Sequence, residues 1–465
     1  MRLTSGGHSF SVVAILTLSA CHASRPSTSS DQCAGAAAYS RDADAALRSI
    51  RESYVYVNEK AVDWNRAESL TRTAVNTVHS KRDLLGVLER LLDNLYDAHA
   101  ILRANTSHSP RIVPSGVDLW AEWIDGDAIV TAVRGGYGAE RQGVRPGMHV
   151  LAIDGVPIKD AADSRLGPAV NYPAPADAGA WALVSALAGR HDTPRVLRVR
   201  DTGGNKDISL DSVTPFLIDR AMNEPPVEAR TINAPAGSAY GYIRLNALDD
   251  LHSVPAFDSA LEMLRDAPAL ILDLRNSPGG GNTSVAEPIL GRFIRQRQEY
   301  QRVAPRHGRA YTRMTEPRGP WTYTRPLVVL VGRWTGSMGE GMAIGVDGMH
   351  RGVVVGTPMA GLAGAVDDIK LPCSGLVIAL PTARLLHMDG TPRERWIPPV
   401  RIDLIASERE RGADAQPAPS PPRLDQSRDP VLRCGMEILD ELTRVSTAIS
   451  SCANRIGSPI KTRSR

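Results

Sequence analysis

Residues 269–281 read Ala-Leu-Ile-Leu-Asp-Leu-Arg-Asn-Ser-Pro-Gly-Gly-Gly, an apolar run that ends in a glycine turn. A strand with one wet face alternates apolar and polar residues, whereas this run is continuous. It therefore predicts a strand buried on both faces. Pro326-Leu-Val-Val-Leu-Val331 and Val353-Val-Val355 repeat the pattern. Helical periodicity separates the runs at Phe257–Arg265, Val285–Phe293 and Gly339–Val346. Strand, crossover helix and strand in succession predict an α/β layer with parallel strands.

Outward from this core the pattern changes. Leu84, Leu85, Leu88, Leu91, Leu92 and Leu95 form one apolar helix face in a helical stretch from Asp42 to about Leu102. On that spacing His99 continues the buried face. Thr106-Ser-His-Ser-Pro-Arg111 breaks the helix, and about 112 to 211 reads as β-rich, with runs at Asp127–Val133, Val150–Ile153 and Arg195–Val199. After Ile405 the chain turns charged and then proline-rich at 416–422, a linker. Asp429 and Pro430 suit the N-cap and first position of a last helix reaching about Ser450.

The expected class is multidomain α+β. Its divisions are 1–20 as a leader, 21–40 as a tether, 41–110 helical, 111–215 β-rich, 216–405 the α/β core, and 406–465 linker and C-terminal helix. A length of 465 residues suits about three domains. Hydrophobic residues make up 42% and charged residues 23%, which excludes a disordered or fibrous chain. A net charge of +3 gives no electrostatic case for nucleic-acid binding. No apolar run reaches the roughly 20 residues needed to span a bilayer.

The N-terminus carries Arg2, a short apolar stretch from Phe10 to Leu18, and Leu18-Ser-Ala-Cys21. This is similar to a bacterial lipoprotein signal cleaved before Cys21, whose thiol takes the lipid. His22 follows where an aspartate would argue for inner-membrane retention. The expectation is a lipid anchor on the periplasmic face of the outer membrane, or otherwise a periplasmic or secreted protein. Cys33, Cys373, Cys434 and Cys452 remain, allowing three full pairings in an oxidising compartment. Cys434–Cys452 is the most local. Neither CxxC nor HExxH occurs, so a metal site has no support, and no cofactor is expected.

Two further stretches carry a family pattern. Ala139-Glu-Arg-Gln-Gly-Val-Arg-Pro-Gly-Met-His-Val-Leu-Ala-Ile-Asp-Gly-Val156 resembles a PDZ segment, with Gly147 and Gly155 at turns around a short strand. Met148 stands where the usual aspartate belongs. Tyr242-Ile-Arg-Leu, Leu272-Asp-Leu-Arg-Asn-Ser-Pro-Gly-Gly280 and Gly332-Arg-Trp-Thr-Gly-Ser-Met-Gly-Glu340 resemble the tail-specific (C-terminal processing) serine peptidases. The resemblance covers nearly all of the chain after the leader and implies a ClpP/crotonase-like core.

That resemblance implies Ser337 as nucleophile and the amides of Gly279 and Met338 as oxyanion hole, with Gly280 and Glu340 supporting the loops. One branch of the family uses a lysine in a "GxxTxGKG" segment. Here the match is Gly356-Thr-Pro-Met-Ala-Gly-Leu-Ala-Gly364, and Leu362 cannot accept a proton. Lys370 lies too far along the chain. A second branch, tricorn-core-like, uses Ser, His and Glu. Asp97-Ala-His-Ala100 is close to its histidine motif, which implies His99 as base, with His387 as rival. The orienting acid would be Glu394, with Asp367 and Asp389 as alternatives. The expected function is a cell-envelope serine endopeptidase acting on peptides or proteins, with a PDZ module reading substrate C-termini. The alternative is a non-catalytic peptide-binding lipoprotein of the same fold. The oligomeric state is not legible.

Overall fold

The computed structural model describes residue 33 and residues 35–211, 224–234, 237–277, 279–411 and 429–443. The expected leader, Cys21, the proline-rich stretch and Cys452 lie outside these residues.

Three helices open the described chain: α1 (Ala36–Ser53), α2 (Trp64–Val75) and α3 (Lys81–Leu92). Ser80 caps α3 by accepting from the Asp83 amide at 3.1 Å. The leucine face of α3 is buried as the periodicity predicts. The helix does not run on to Leu102. A single 3-10 turn covers Asp93–Leu95, and Tyr96 takes φ 33°, a left-handed conformation that ends it. His99 therefore sits in a turn just before strand β1 (Ile101–Leu102) and not on the helix face.

The β-rich region is a twisted antiparallel sheet. Its strands are β2 (Leu119–Ile124), β3 (Asp127–Val133), β4 (His149–Ile153), β5 (Val156–Pro157), β6 (Arg195–Asp201) and β7 (Gly204–Leu210). Helices α4 (Gly138–Arg141), α5 (Ile158–Asp163) and α6 (Ala176–Ala188) accompany it. The order is β2-β3-β4-β6-β7, so β2 is an edge strand, and α6 lies beside it.

The α/β core holds the sheet that the continuous apolar runs predict. Its order is β17-β14-β13-β10-β9-β8. These strands are β8 (Val227–Asn233), β9 (Ala239–Leu245), β10 (Leu270–Asp273), β13 (Leu327–Val331), β14 (Val353–Gly356) and β17 (Val400–Arg401). All neighbours are parallel except β8 with β9. Leu270, Leu272, Leu327, Val329 and Val331 point to one face, under α7 (Ser253–Met263), α8 (Thr283–Leu290) and α9 (Met338–Gly348). Ile271, Val328, Leu330 and Val355 point to the other, under the C-terminal helix α11 (Pro430–Thr443). Between β17 and α11 lies α10 (Leu404–Arg411). Asp429 caps α11 as expected, and Arg275 at the end of β10 donates to the same carboxylate at 2.7 and 2.8 Å.

A second sheet joins β1 to the core: β1-β16-β11-β12, with β15 on β16. Its strands are β11 (Gln298–Pro305), β12 (Tyr311–Thr315), β15 (Ala365–Lys370) and β16 (Val377–Leu386). Leu84, Leu88 and Leu91 of α3 share a hydrophobic cluster with Leu371, Leu376, Ile378 and Leu380. Cys33 is bonded to Cys373 in the turn between β15 and β16, and the Asp42 carboxylate accepts from the amides of Cys373 and Ser374. The N-terminal helices are thus built onto the peptide core, and this brings His99 to it. Cys434 is also in a disulfide.

Candidate active site

Two loops leave the C-terminal ends of adjacent parallel strands, where open α/β sheets place ligands. The first follows β10. Gly279, Gly280 and Gly281 have φ of 150°, 72° and 89°, values that side chains disfavour. The second follows β13 and turns sharply into α9. Ser337 sits at its apex with φ 51°, although no G-x-S-x-G pattern announces the bend. Ser337 forms a capping box with Glu340, so its partly buried hydroxyl lies at the helix N-terminus, where negative charge is favoured.

Backbone bonds lock the loops together. The Gly336 amide donates to the Ser277 carbonyl at 2.8 Å, and the Thr335 hydroxyl donates to the Leu274 carbonyl at 2.9 Å. A Cβ on Gly281 would lie 2.8 Å from Met338 Cβ and 2.9 Å from Leu248 Cβ. The glycine loop thus lies directly against the residue after Ser337. Gly281→Ala is expected to cost about 1–3 kcal/mol of stability, from overpacking and a positive φ. It should also lower any turnover by displacing the loop. Urea denaturation and a rate assay on the soluble fraction check both.

The β-rich region braces these loops. The Trp334 indole donates to the Val117 carbonyl at 2.8 Å and packs in that region's core. Arg134 donates to the Asn276 side-chain oxygen at 2.8 and 3.1 Å. Neither residue carries a sequence signal for this role, since the contacts span more than 140 positions.

His99 reaches the segment 361–364 from the N-terminal region. Its side chain is buried, and Nδ1 lies 2.8 Å from the Ala363 carbonyl. A carbonyl only accepts, so this bond puts the proton on Nδ1 and leaves the Nε2 lone pair as the basic site. Burial, then the nearby Arg393 charge, pushes the imidazole down to about 4. Asp97 holds the turn: its carboxylate accepts from the His99 amide at 2.9 Å and the Tyr54 hydroxyl at 2.7 Å.

Glu340 is fully buried. It accepts from the amides of Ser337 at 2.7 Å, Gly361 at 2.8 Å and Leu362 at 3.3 Å. Burial pushes its carboxyl up to about 7, despite Arg393 and these amides. Glu394 lies in a 3-10 turn next to Arg393. The Tyr56 hydroxyl lies beside it, and burial, then the Glu394 carboxylate, pushes the Tyr56 pKa up. The expectation that Glu394 orients His99 meets a different arrangement, in which the Nδ1 partner is the Ala363 carbonyl.

The other candidates lie elsewhere. His387 pairs with Asp347 at 3.1 Å and Asp389 at 3.0 Å and stacks on Trp396. It packs by Gly348 at the C-terminal end of α9, roughly 15 Å along the helix from Ser337. Asp367 accepts from Thr382 on the second sheet, and Lys370 ends the same strand. Leu362 is buried.

A serine at a strained strand-to-helix turn, beside a glycine loop on a parallel sheet, defines a serine-type peptidase domain. Residues 239–401 match the model for peptidase family S41. One relative is the carboxy-terminal processing protease CtpA of Bacillus subtilis, 25% identical over 61% of this chain and 53% of its own length. Another is the chloroplastic C-terminal processing peptidase of Tetradesmus obliquus, 24% identical over 80% of each chain. The chain thus spans about half the length of the Bacillus relative. Among solved structures, mature CPAF aligns with a TM-score of 0.55 at 14% identity, over 87% of this chain and 96% of that one. At that identity the likeness is one of fold. No helix among the described residues is long and apolar enough to cross a membrane.

Proposed function

We propose that this chain is a cell-envelope serine endopeptidase that cleaves peptides or proteins through an acyl-enzyme. The observation that carries the reading is the strained backbone of Ser337 against the glycine loop. Strain of about 1–3 kcal/mol persists where the surroundings enforce it, and the capping box that Ser337 forms with Glu340 does not by itself require a left-handed backbone. In the mechanism, His99 Nε2 takes the Ser337 proton as the hydroxyl attacks a peptide carbonyl. The amides of Gly279 and Met338 hold the oxyanion, and each such donor is worth about 3 kcal/mol in the transition state. The histidine returns its proton to the leaving amine, and water then hydrolyses the ester. Glu394 assists from beside Arg393, and no metal or cofactor takes part.

The β-rich region acts as a PDZ module. Its edge strand β2 runs beside α6, the arrangement in which an added peptide strand and its C-terminal carboxylate are captured. The lipobox-like Cys21 would anchor the chain to the membrane. The Cys33–Cys373 bond accords with an oxidising envelope compartment.

The second reading, a non-catalytic peptide binder, draws on Leu362 and on the carbonyl that occupies His99 Nδ1. The test is to treat protein lacking residues 1–21 with a fluorophosphonate and map the label by peptide mass. Label on Ser337 that is lost in His99→Asn is expected. A folded protein that takes no label yet binds C-terminal peptides would establish the binder.

A further inference from the structure

A buried arginine ties the Ser337 turn to the segment 361–364. Leu362 brings no charge to the segment 361–364, yet Arg393 reaches that segment from the 3-10 turn after β16, with its side chain only 2% exposed. Its Nη1 donates to the Ser337 carbonyl at 3.1 Å. Its Nη2 donates to the carbonyls of Leu362 at 2.7 Å and Gly364 at 2.9 Å. Glu340 takes the complementary groups, the amides of Ser337, Gly361 and Leu362. The two charges lie 3.9 Å apart. One buried carboxylate thus holds the donors, and one buried guanidinium holds the acceptors, of the same two segments. One segment carries Ser337. The other carries Ala363, whose carbonyl receives the His99 ring.

We propose that Arg393 is a positioning residue: with Glu340 it fixes the Ser337 turn and the segment that orients His99 at a set separation. This rests on the reading of Ser337 and His99 as the reacting pair. An arginine suits the task because its rigid fork serves several carbonyls at once, which a lysine cannot do. A buried ion pair is weak evidence for added stability, since desolvation offsets its attraction, so the geometry it enforces is the better reason for it. The charge has a second consequence. The charged groups facing His99 are Arg393 from the 3-10 turn and Asp97 from its own turn, the latter bonded to Tyr54. Glu340 faces Arg393 itself, and Glu394 is its neighbour in the 3-10 turn. Removing the guanidinium therefore leaves Asp97 as the nearer charge and makes the imidazole easier to protonate.

The test uses the chain lacking residues 1–21 and its Arg393→Lys, Arg393→Gln, Glu340→Gln and His99→Asn variants. Two quantities are read: the rate of fluorophosphonate labelling of Ser337, split into maximal rate and half-saturating concentration, and the His99 midpoint by histidine NMR. The His99 signal is assigned by its loss in His99→Asn. Arg393→Lys should lower the maximal rate about tenfold, with the half-saturating concentration within threefold and the midpoint unmoved. Arg393→Gln should lower it about 100-fold and raise the midpoint by about one unit. If Arg393→Gln does not fold, Arg393→Lys and Glu340→Gln carry the test. Unchanged maximal rates per folded molecule with an unmoved midpoint overturn the proposal, as do rate losses that only track the unfolded fraction. His99→Asn labelling at the wild-type rate would instead overturn the reading of the reacting pair, while the NMR midpoint in Arg393→Gln still decides whether Arg393 acts on His99.

Discussion

Ser337→Ala is expected to lower peptide hydrolysis by about four orders of magnitude or more and to abolish fluorophosphonate labelling, with the fold intact. In the proposed mechanism the loss follows from removing the atom that forms the acyl bond; what remains is the rate supplied by the oxyanion donors and binding. The fold should tolerate the change because the bonds of residue 337 to the Glu340 carboxylate and to Arg393 use its backbone N–H and C=O, and only the hydroxyl's cap on the Glu340 amide is lost, at about 1 kcal/mol. Ser337→Gly makes the sharper comparison. At φ 51° a glycine relieves strain that serine and alanine both carry. The glycine variant should therefore be as inactive as alanine yet more stable than the wild type by about 0.5–1 kcal/mol. Denaturant midpoints of the three proteins, set against their rates, check this. A glycine variant less stable than wild type would mean that the turn is an ordinary cap, and the structural case for a strained nucleophile would go with it.

The sequence was most legible where local pattern decides structure. The runs at 270–273, 327–331 and 353–356 could be read as two-faced strands because burial on both sides leaves no polar alternation. Asp429 and Pro430 announced the start of α11 through capping chemistry that involves only neighbours. The leucine face of α3 was equally plain, but its end was not. Tyr96 adopts a left-handed conformation that favours glycine or asparagine, so no residue type marked the break before His99.

The site was legible in its loops and opaque in its braces. Ser337 and the glycine turn stand in recognisable motifs, yet the backbone strain at Ser337 is imposed by contacts from other segments. Arg393 flanks Glu394 on one side and Arg395 on the other. Sequence treats the two arginines alike, whereas the 3-10 turn buries one and exposes the other. The pairing of Cys33 with Cys373 was equally hidden, because it depends on packing the first helix onto the second sheet.

The pH behaviour of His99 and Glu340 provides the other large effect. In the proposed mechanism neutral His99 is the base, and its midpoint near 4 puts the acid limb set by this histidine near pH 4, while protonation of Glu340 below about 7 weakens its pair with Arg393 and adds a shallower fall above that limb. An ordinary histidine would lose half its rate near pH 6.5. His99→Asn should cost about 10³-fold at every pH and remove that acid limb. The two groups also act on stability, with opposite signs. An unfolded histidine binds its proton near 6.5 and the folded one only near 4, so acidification through that window favours unfolding. Glu340 behaves in the reverse way. Unfolded, it loses its proton near 4.5, but folded it holds the proton to about 7, so raising the pH through that window favours unfolding. Each contribution is on the order of 3 kcal/mol, and the windows overlap, so the wild type should show little slope between about pH 4.5 and 6.5. Single substitutions should unmask the slopes. His99→Asn should become more stable as the pH falls from 7 to 4.5, whereas Glu340→Gln should become less stable as it falls from 6.5 to 4. Urea denaturation across that range measures both, and parallel curves for the two variants would show that the buried pair of titrating groups does not set the pH response.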